Sequence, residues 1–159
     1  MNSNEIRWML SRDTKTKQCF IDVFAIDEFK DFVRKNTLLK GLYIVNSDAS
    51  NSPGEHWFLI FHKEGYLSFM DSFAKSEKFY NIEEELNSVR RKIDKVPFQI
   101  QHPLSDVCGE YVIYFAYNLC RNISLKDALK YFSENCKDND NKVLNFVNKY
   151  FPGHSRILP

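Results

Sequence analysis

The sequence predicts an α+β domain in which a central mixed β-sheet is flanked by helices. Two observations support this class: short apolar runs typical of buried strands are mixed with helical spacings, and the helices are bunched towards the end of the chain. The 159 residues are 43% hydrophobic and 15% aromatic, which suits a packed core and excludes a disordered chain. No repeat, low-complexity tract or linker divides it, so residues 1–159 are expected to form one domain.

The elements of the first third follow from local patterns. Residues 3–10 are expected to form a short helix with Ser3 as its candidate cap. Residues 19–25 are rich in apolar and β-branched types and predict extended structure, and residues 27–34 repeat apolar side chains at helical spacing. Residues 42–46 predict a short buried strand, which a polar loop follows.

Residues 57–70 predict a hairpin, because two apolar runs flank the turn sequence 63–65. A turn of three or four residues would pair Asp71 with Trp57 or His56. His56 and Asp71 are therefore expected to lie side by side at the open end of the hairpin.

The second half reads as mostly helical. Asn81 is expected to cap a helix whose acidic first turn and basic last turn match the helix dipole. A short strand is expected over residues 98–101. The next segment, 108–120, is apolar on nearly every side, which places it in the middle of the fold. Two further helices are predicted over residues 124–135, capped by Ser124, and 142–151.

Cys108 opens the apolar helix. Ser105 or Asp106 is a candidate cap, which would place the thiol at a helix N-terminus, where unpaired N–H groups and the dipole favour a thiolate. The alternative is that Cys108 is a small buried hydrophobe, as most free cysteines are. The remaining cysteines are expected to be structural: Cys19, Cys120 and Cys136.

His56 directly precedes a buried strand. An aspartate across a hairpin fixes the tautomer of an imidazole and stabilises its charged form, leaving the other nitrogen for a thiol. Taken singly, however, His56 is equally well an edge histidine, and Asp71 a turn or cap residue. His62 and His102 are weaker candidates because no acid is evident beside them, and His154 in the C-terminal tail is expected to be exposed.

Gln101 stands seven residues before Cys108. Its side-chain amide and the backbone N–H of Cys108 together would stabilise a developing oxyanion. On spacing alone, Gln101 is also an ordinary polar residue at a strand end.

The composition and charge of the chain argue against several classes of function. The net charge of +1 gives no global electrostatic reason to expect nucleic-acid or membrane binding, and no apolar run is long enough to span a bilayer. The polar start of the chain does not resemble a signal peptide, so reduced thiols and an intracellular location are expected. The widely spaced cysteines form no CxxC pair, so neither a metal nor another cofactor is expected.

The motifs PGEHW, FMDSF and SDVCGEY, with Gln101 before the last, give the order His, Asp, Gln, Cys. This order resembles the adenovirus maturation protease (adenain) family and the wider group that contains SUMO and NEDD-like deconjugating proteases. The segments CFIDVFAIDEF and IVNSDASNSPGEHW extend the resemblance over roughly residues 19–120, and they are most similar to Polinton-type transposon and virophage proteases.

The resemblance implies an adenain/Ulp-like cysteine protease fold, with the nucleophile at the start of a buried helix. It implies that Cys108 is the nucleophile, His56 the base, Asp71 the orienting acid and Gln101 the oxyanion donor. Adenain has Glu at the position of Asp71, whereas the deconjugating enzymes have Asp. Glu110 stands where many relatives have a small residue or His.

The implied function is that of a thiol endopeptidase of a virus, which cleaves capsid precursors during maturation at sites of the Gly-Gly-X type. Such a protein would act in the cytoplasm or nucleus of the host cell and be packaged in the virion. Adenain is activated by a viral peptide and by DNA; the near-neutral charge argues against a DNA cofactor here. Two alternatives stand beside it: an isopeptidase that removes ubiquitin or SUMO-like proteins, and a non-catalytic binding module that kept the fold.

Overall fold

The structure, a computed structural model, describes residues 1–52 and 56–153. Within these residues the chain forms the following elements in order: α1 (Ser3–Arg12), α2 (Thr14–Cys19), β1 (Phe20–Ala25), α3 (Ile26–Asn36), β2 (Gly41–Asn46), β3 (Trp57–Lys63), β4 (Tyr66–Met70), α4 (Glu83–Asn87), β5 (Ile93–Lys95), α5 (Cys108–Leu119), α6 (Leu125–Leu129) and α7 (Cys136–Tyr150). The prediction that His154 is exposed falls outside the described residues, as does part of the PGEHW motif (residues 53–55).

The strands form one mixed sheet in the order β1-β2-β3-β4-β5. The inner pairs β2–β3 and β3–β4 are antiparallel, whereas the outer pairs β1–β2 and β4–β5 are parallel. Every residue of β2 is buried, as is every residue of β3 except Lys63, because helices cover both faces of the sheet. This arrangement confirms the predicted α+β class with a central mixed sheet.

Successive side chains of the inner strands enter two separate cores. On β2, Leu42 and Ile44 belong to the core that α1, α5 and α7 help to form. Tyr43 and Val45 belong to the core that α3 and α4 help to form on the other face. The period of two is what a pleated strand covered on both faces requires.

The β3–β4 hairpin closes through a tighter turn than the sequence predicted. Lys63 pairs with Tyr66, so the turn consists of Glu64 and Gly65 alone rather than of three or four residues. Gly65 has a φ of 86°, which glycine adopts without steric cost. The two-residue turn shifts the register of the hairpin from the one expected.

Continuing this register by one step places Asp71 opposite Phe58, not opposite Trp57 or His56. Residues directly opposite each other point to the same face of a sheet, and so do residues two apart on one strand. His56 and Asp71 are therefore diagonal neighbours at the open end of the hairpin. The prediction that this end brings the two together holds despite the wrong register.

Helix α5 runs through the middle of the fold. It packs against β3, α1, α6 and α7, and most of its residues are buried. It begins at Cys108 as predicted, but neither Ser105 nor Asp106 caps it; the preceding residue is Val107, which makes no side-chain capping bond. The positive end of the helix dipole is thus left facing Cys108 without a capping side chain.

The region between the hairpin and α5 differs from the prediction. Asn81 is not a cap: it has a φ of 57°, a left-handed conformation that asparagine tolerates. Helix α4 ends at Asn87, so the basic run 90–92 lies beyond it, and β5 follows as a strand that was not predicted. Residues 98–101 form no strand, because their backbone bonds to a loop instead of a neighbouring strand.

The helix boundaries also differ at both ends of the chain. Asn2, not Ser3, caps α1 by accepting a hydrogen bond from Glu5 N, and α2 was not predicted. Ser124 caps α6 as predicted, but that helix ends at Leu129. Helix α7 begins at Cys136, six residues before the predicted start. Among the helices of residues 1–52 and 56–153, none combines the length and apolarity needed to cross a bilayer.

Candidate active site

His56 and Asp71 lie at the end of the sheet where β3 begins and β4 ends. His56 Nε2 is 2.6 Å from Asp71 Oδ1, and the exposed fractions of the two residues are 9% and 1%. A carboxylate this close to a buried imidazole stabilises its protonated form and fixes the ring orientation. Because Nε2 faces Asp71, Nδ1 is the nitrogen left for a second partner.

Asp71 is itself held by two further donors. Tyr80 donates its hydroxyl to Asp71 Oδ2 at 2.5 Å, and the backbone N–H of Phe73 donates to Oδ1 at 2.9 Å. Both oxygens of the buried carboxylate are therefore hydrogen-bonded, as a buried charge requires. Burial raises the pKa of Tyr80, and the charge of Asp71 raises it further. The hydroxyl therefore stays protonated and can donate to Asp71.

Aromatic rings restrict the His56 imidazole. The Phe73 ring stacks on it with a centroid distance of 4.8 Å and an interplanar angle of 27°. The Tyr80 ring lies nearly parallel to it at 6.5 Å and 16°. These rings limit rotation of the imidazole and shield its contact with Asp71 from water, which strengthens the interaction.

Cys108 is the other partner of His56. The cysteine is 7% exposed, and it lies close enough to the imidazole to raise the pKa of His56. Burial lowers the pKa of His56, but the hydrogen bonds to Asp71 and Cys108 and the charges of both groups outweigh burial and raise this pKa from 6.5 to about 9. The imidazole is consequently protonated at neutral pH.

Gln101 is fully buried between two loops. Its Nε2 donates to the carbonyl oxygen of Ser105 at 3.0 Å and to Ser105 Oγ at 3.1 Å. Its Oε1 accepts a hydrogen bond from Ser72 Oγ at 2.5 Å. The amide is thus fixed between the turn that carries Asp71 and the segment that leads into Cys108.

Trp57 and Met1 form a wall beside the start of α5. Trp57 Nε1 donates to Met1 O at 3.1 Å. Met1 also packs on Gly109, since a Cβ placed on that glycine would lie 2.8 Å from Met1 Cβ. A cavity of about 490 Å³ lies next to this contact, lined by both Met1 and Trp57 and by residues of α1, β1 and the loop after β2. Its volume is in the range of ligand pockets.

His62 and His102 have other partners. His62 Nδ1 contacts Leu38 O at 2.9 Å, and His102 Nδ1 accepts from Leu104 N at 3.2 Å. Of the remaining thiols, Cys19 ends α2 and lies beside Cys120, which follows α5, whereas Cys136 begins α7. In the part of the chain that the structure describes, His, Cys, Asp and Glu form no group of three able to hold a metal ion.

Several side chains that contact this cluster were not predicted to belong to it. Ser72 and Phe73 directly follow Asp71 in the FMDSF motif, so the sequence itself shows that they are near the acid. Ser105 was considered only as a helix cap. No local sequence pattern indicates Tyr80, because its contact with Asp71 depends on how the loop after β4 folds back.

Solved structures with a similar fold are known. The effector protein Cdu1 of Chlamydia trachomatis, solved bound to ubiquitin, matches with a TM-score of 0.62 at 14% identity, over 100% of this chain and 95% of that chain. The pS273R protease of ASFV matches with a TM-score of 0.53 at 13% identity, over 89% of this chain and 64% of that chain. ChlaDub1 of Chlamydia trachomatis gives 0.50 at 13% identity, over 98% and 78%.

The chain shares the fold of these proteins. Comparison with protein-family models gives no match, and neither does comparison with the sequences of curated proteins. At 13–14% identity the structural likeness establishes architecture. A shared architecture does not fix the chemistry, which depends on the residues of the cluster. That cluster is a thiol beside a protonated imidazole that is held by a buried carboxylate, which is an arrangement suited to nucleophilic catalysis.

Proposed function

We propose that the protein is a cysteine endopeptidase with Cys108 as its nucleophile. The observation that carries this proposal is the single buried cluster of Cys108, His56 and Asp71, in which the pKa of His56 is raised to about 9. An imidazolium beside a thiol stabilises the thiolate, which is the reactive form of cysteine. The start of α5, without a capping side chain, adds the positive end of a helix dipole.

The reaction proceeds by acyl transfer. His56 holds the proton that Cys108 has given up, and the thiolate sulfur of this ion pair attacks the carbonyl carbon of a peptide bond. His56 then gives the proton to the leaving amine, and water hydrolyses the thioester to release the acyl product and restore the thiol. Asp71 keeps the imidazole in the orientation that serves both proton transfers.

Gln101 and the backbone N–H of Cys108 stabilise the oxyanion of the tetrahedral intermediate in this proposal. Both acceptors of Gln101 Nε2 belong to Ser105, so one N–H of the amide can serve them as a shared bond. The second N–H is then available for the oxyanion. Loss of one such donor costs other enzymes about 3–4 kcal/mol of transition-state stabilisation.

The proposed substrates are proteins, and we favour capsid precursors cleaved during viral maturation. Two things support this choice: the resemblance of the motifs to adenain-like and Polinton-type proteases, and the fold shared with a viral protease, pS273R of ASFV. From the same resemblance we propose that the cleavage sites are of the Gly-Gly-X type and that a peptide activates the enzyme. We also propose that it acts in the cytoplasm or nucleus of a host cell and is packaged in the virion.

Removal of ubiquitin-like proteins is the second candidate. Cdu1, solved bound to ubiquitin, matches this chain over its whole length and is itself matched over 95%. A ubiquitin-like tail presents the same narrow Gly-Gly sequence to a thiol as a capsid site does. The two candidates differ in whether a folded partner is needed for cleavage.

The test compares cleavage by the wild type and by Cys108→Ala. The substrates are a Gly-Gly-X peptide library, recombinant capsid precursors, and ubiquitin and SUMO fused to a fluorogenic group. We expect the wild type to cut and Cys108→Ala to be at least about 10³-fold slower. Faster turnover of free peptides and capsid precursors supports maturation, whereas a strict need for the folded modifier supports deconjugation.

Cys136→Ala is the matched control, because Cys136 also occupies the first position of a helix. This variant should keep wild-type activity. Equal cleavage by the wild type and Cys108→Ala would rule out Cys108 as nucleophile. Absence of cleavage by the wild type, even with added viral peptides, would favour a binding module that has kept the fold.

A further inference from the structure

Ser72 contacts Gln101 at two points. Its hydroxyl donates to Gln101 Oε1 at 2.5 Å, and its carbonyl oxygen accepts from Gln101 N at 3.2 Å. The same carbonyl also accepts from Ile100 N at 3.0 Å. Both Ser72 and Gln101 are fully buried. Water therefore cannot replace a lost hydrogen bond at this site, so Ser72 and Gln101 each need the other as a hydrogen-bond partner.

The side-chain amide of Gln101 is held at both ends. The carbonyl oxygen of Ser105 can only accept, so it requires the amide nitrogen to face it. At the other end, the hydroxyl of Ser72 donates to the amide oxygen. With both contacts in place the amide plane is fixed. Without Ser72, Oε1 has no donor at this end, and the amide is free to rotate about the Ser105 contact.

Ser72 directly follows Asp71 in the chain. One dipeptide thus supplies the carboxylate that orients His56 and the hydroxyl that orients Gln101. We propose that Ser72 is a positioning residue that holds the Gln101 amide in place for the oxyanion; this inference rests on the proposed function. Ser72 itself touches neither His56 nor the substrate in this scheme, so it acts on transition-state stabilisation and not on the nucleophile.

The first test is kinetic and uses Ser72→Ala. Since the oxyanion exists only in the transition state and intermediate, we expect kcat to fall about 10- to 100-fold while KM stays within about twofold. The rate of Cys108 alkylation by iodoacetamide should not change, because it needs the imidazole and not an oxyanion donor. A parallel loss in alkylation would mean that Ser72 acts through Asp71 and would overturn the proposal.

Ser68→Ala is the matched control. Ser68 is also buried on the same hairpin, and its Oγ has no hydrogen-bond partner in the part of the chain that the structure describes. Its loss should leave kcat unchanged. If Ser72→Ala were as active as Ser68→Ala, the proposal would be wrong.

The coupling between Ser72 and Gln101 is measured by combining Ser72→Ala with Gln101→Ala. Once Gln101 is removed, Ser72 has nothing to position. The double variant is therefore expected to be no slower than Gln101→Ala alone. If the losses of kcat in the two single variants instead multiply in the double variant, the assignment is wrong. Should Ser72→Ala melt far below the wild type, Ser72→Cys, whose somewhat larger thiol donates only weakly, takes its place in the kinetic test and in the double variant.

A readout without substrate separates this inference from the proposed function. In ¹H–¹⁵N spectra the Gln101 side-chain NH₂ pair is identified by its loss in Gln101→Ala. We expect Ser72→Ala to shift this pair and to speed its hydrogen exchange at least about tenfold, since a fixed buried amide becomes mobile. Unchanged exchange contradicts the positioning role even if cleavage is seen. Absence of cleavage by the wild type contradicts the proposed function whatever the amide does.

Discussion

The hydroxyl of Tyr80 donates to Asp71 Oδ2 at 2.5 Å, on the opposite oxygen from the one that contacts His56. The Tyr80 ring also lies nearly parallel to the imidazole and stacks on Phe58 at 4.4 Å. Tyr80 therefore links the acid, the base and the core beneath α3 and α4. This contact holds the carboxylate in the plane that His56 requires.

Removal of this hydroxyl in Tyr80→Phe is expected to lower kcat about tenfold and the free energy of unfolding by about 1–3 kcal/mol, because a buried carboxylate loses one of its donors. Tyr43→Phe is the control: it also loses a buried hydrogen bond, to Leu39 O, but touches neither Asp71 nor His56 in the contacts described. It should lose stability and keep its kcat. Equal activity of the two variants would show that Tyr80 is not needed to hold Asp71.

His56 should make the stability of the protein depend on pH. Its pKa is raised from 6.5 to about 9 in the folded chain, so folding favours the protonated imidazole. The stabilisation is complete below pH 6.5 and is lost as the pH rises through about 9. We expect the urea midpoint of the wild type to decrease over this window and that of His56→Gln to decrease less. A parallel decrease in both proteins would assign the effect to other groups.

Alkylation rates should distinguish two cysteines in the same helical position. Cys108 begins α5 beside a protonated His56, whereas burial and then the charge of Asp140 raise the pKa of Cys136 at the start of α7. At pH 7 we expect iodoacetamide to modify Cys108 at least about tenfold faster than Cys136, although Cys136 is more exposed. The measurement is mass spectrometry of peptides at timed intervals.

His56→Ala should abolish this difference, and His62→Ala, a change near the other end of β3, should preserve it. Equal rates at the two thiols in the wild type would remove the evidence that Cys108 is activated.

Arg121 and Asp13 form an ion pair that joins the end of α5 to the start of α2. Arg121 Nη1 and Nη2 contact the two oxygens of Asp13 at 2.8 and 2.5 Å, and Asp13 also caps α2 through Thr16 N. Burial raises the pKa of Asp13, but the bonds from Arg121 and Thr16 outweigh it and lower this pKa from 3.8 to about 2. The resulting stabilisation is present above pH 3.8 and is lost as the pH falls through about 2.

Asp13→Ala is expected to lower the free energy of unfolding at pH 7 by about 1–3 kcal/mol, since it loses a helix cap and one partner of a bidentate pair. Asp127→Ala removes half of the exposed pair with Lys130 and should lower the free energy of unfolding much less, because solvent screens an exposed ion pair. Chemical denaturation of both variants provides the comparison. A loss at Asp13 no larger than that at Asp127 would show that the pair contributes little.

The sequence by itself determined those features that depend on local pattern. The apolar runs on either side of a turn predicted the hairpin, and the pairing of its two strands predicted that His56 and Asp71 meet at its open end. Residues 108–120 are apolar on nearly every side, which predicted a buried helix that begins at Cys108. Burial of apolar area is the dominant favourable term in folding, so such patterns report the core reliably.

Only the tertiary structure decided the exact register and the contacts that hold the site. Gly65 allows a two-residue turn, and the resulting register places Asp71 opposite Phe58 instead of opposite Trp57 or His56. Ser72 and Gln101 are 29 residues apart and meet through irregular backbone, for which no sequence period exists. Hydrogen bonds are short and directional, so such contacts form only where the packed helices and strands place the loops between them. The hydrophobic pattern of the sequence determines which side chains are buried, but it does not determine these positions.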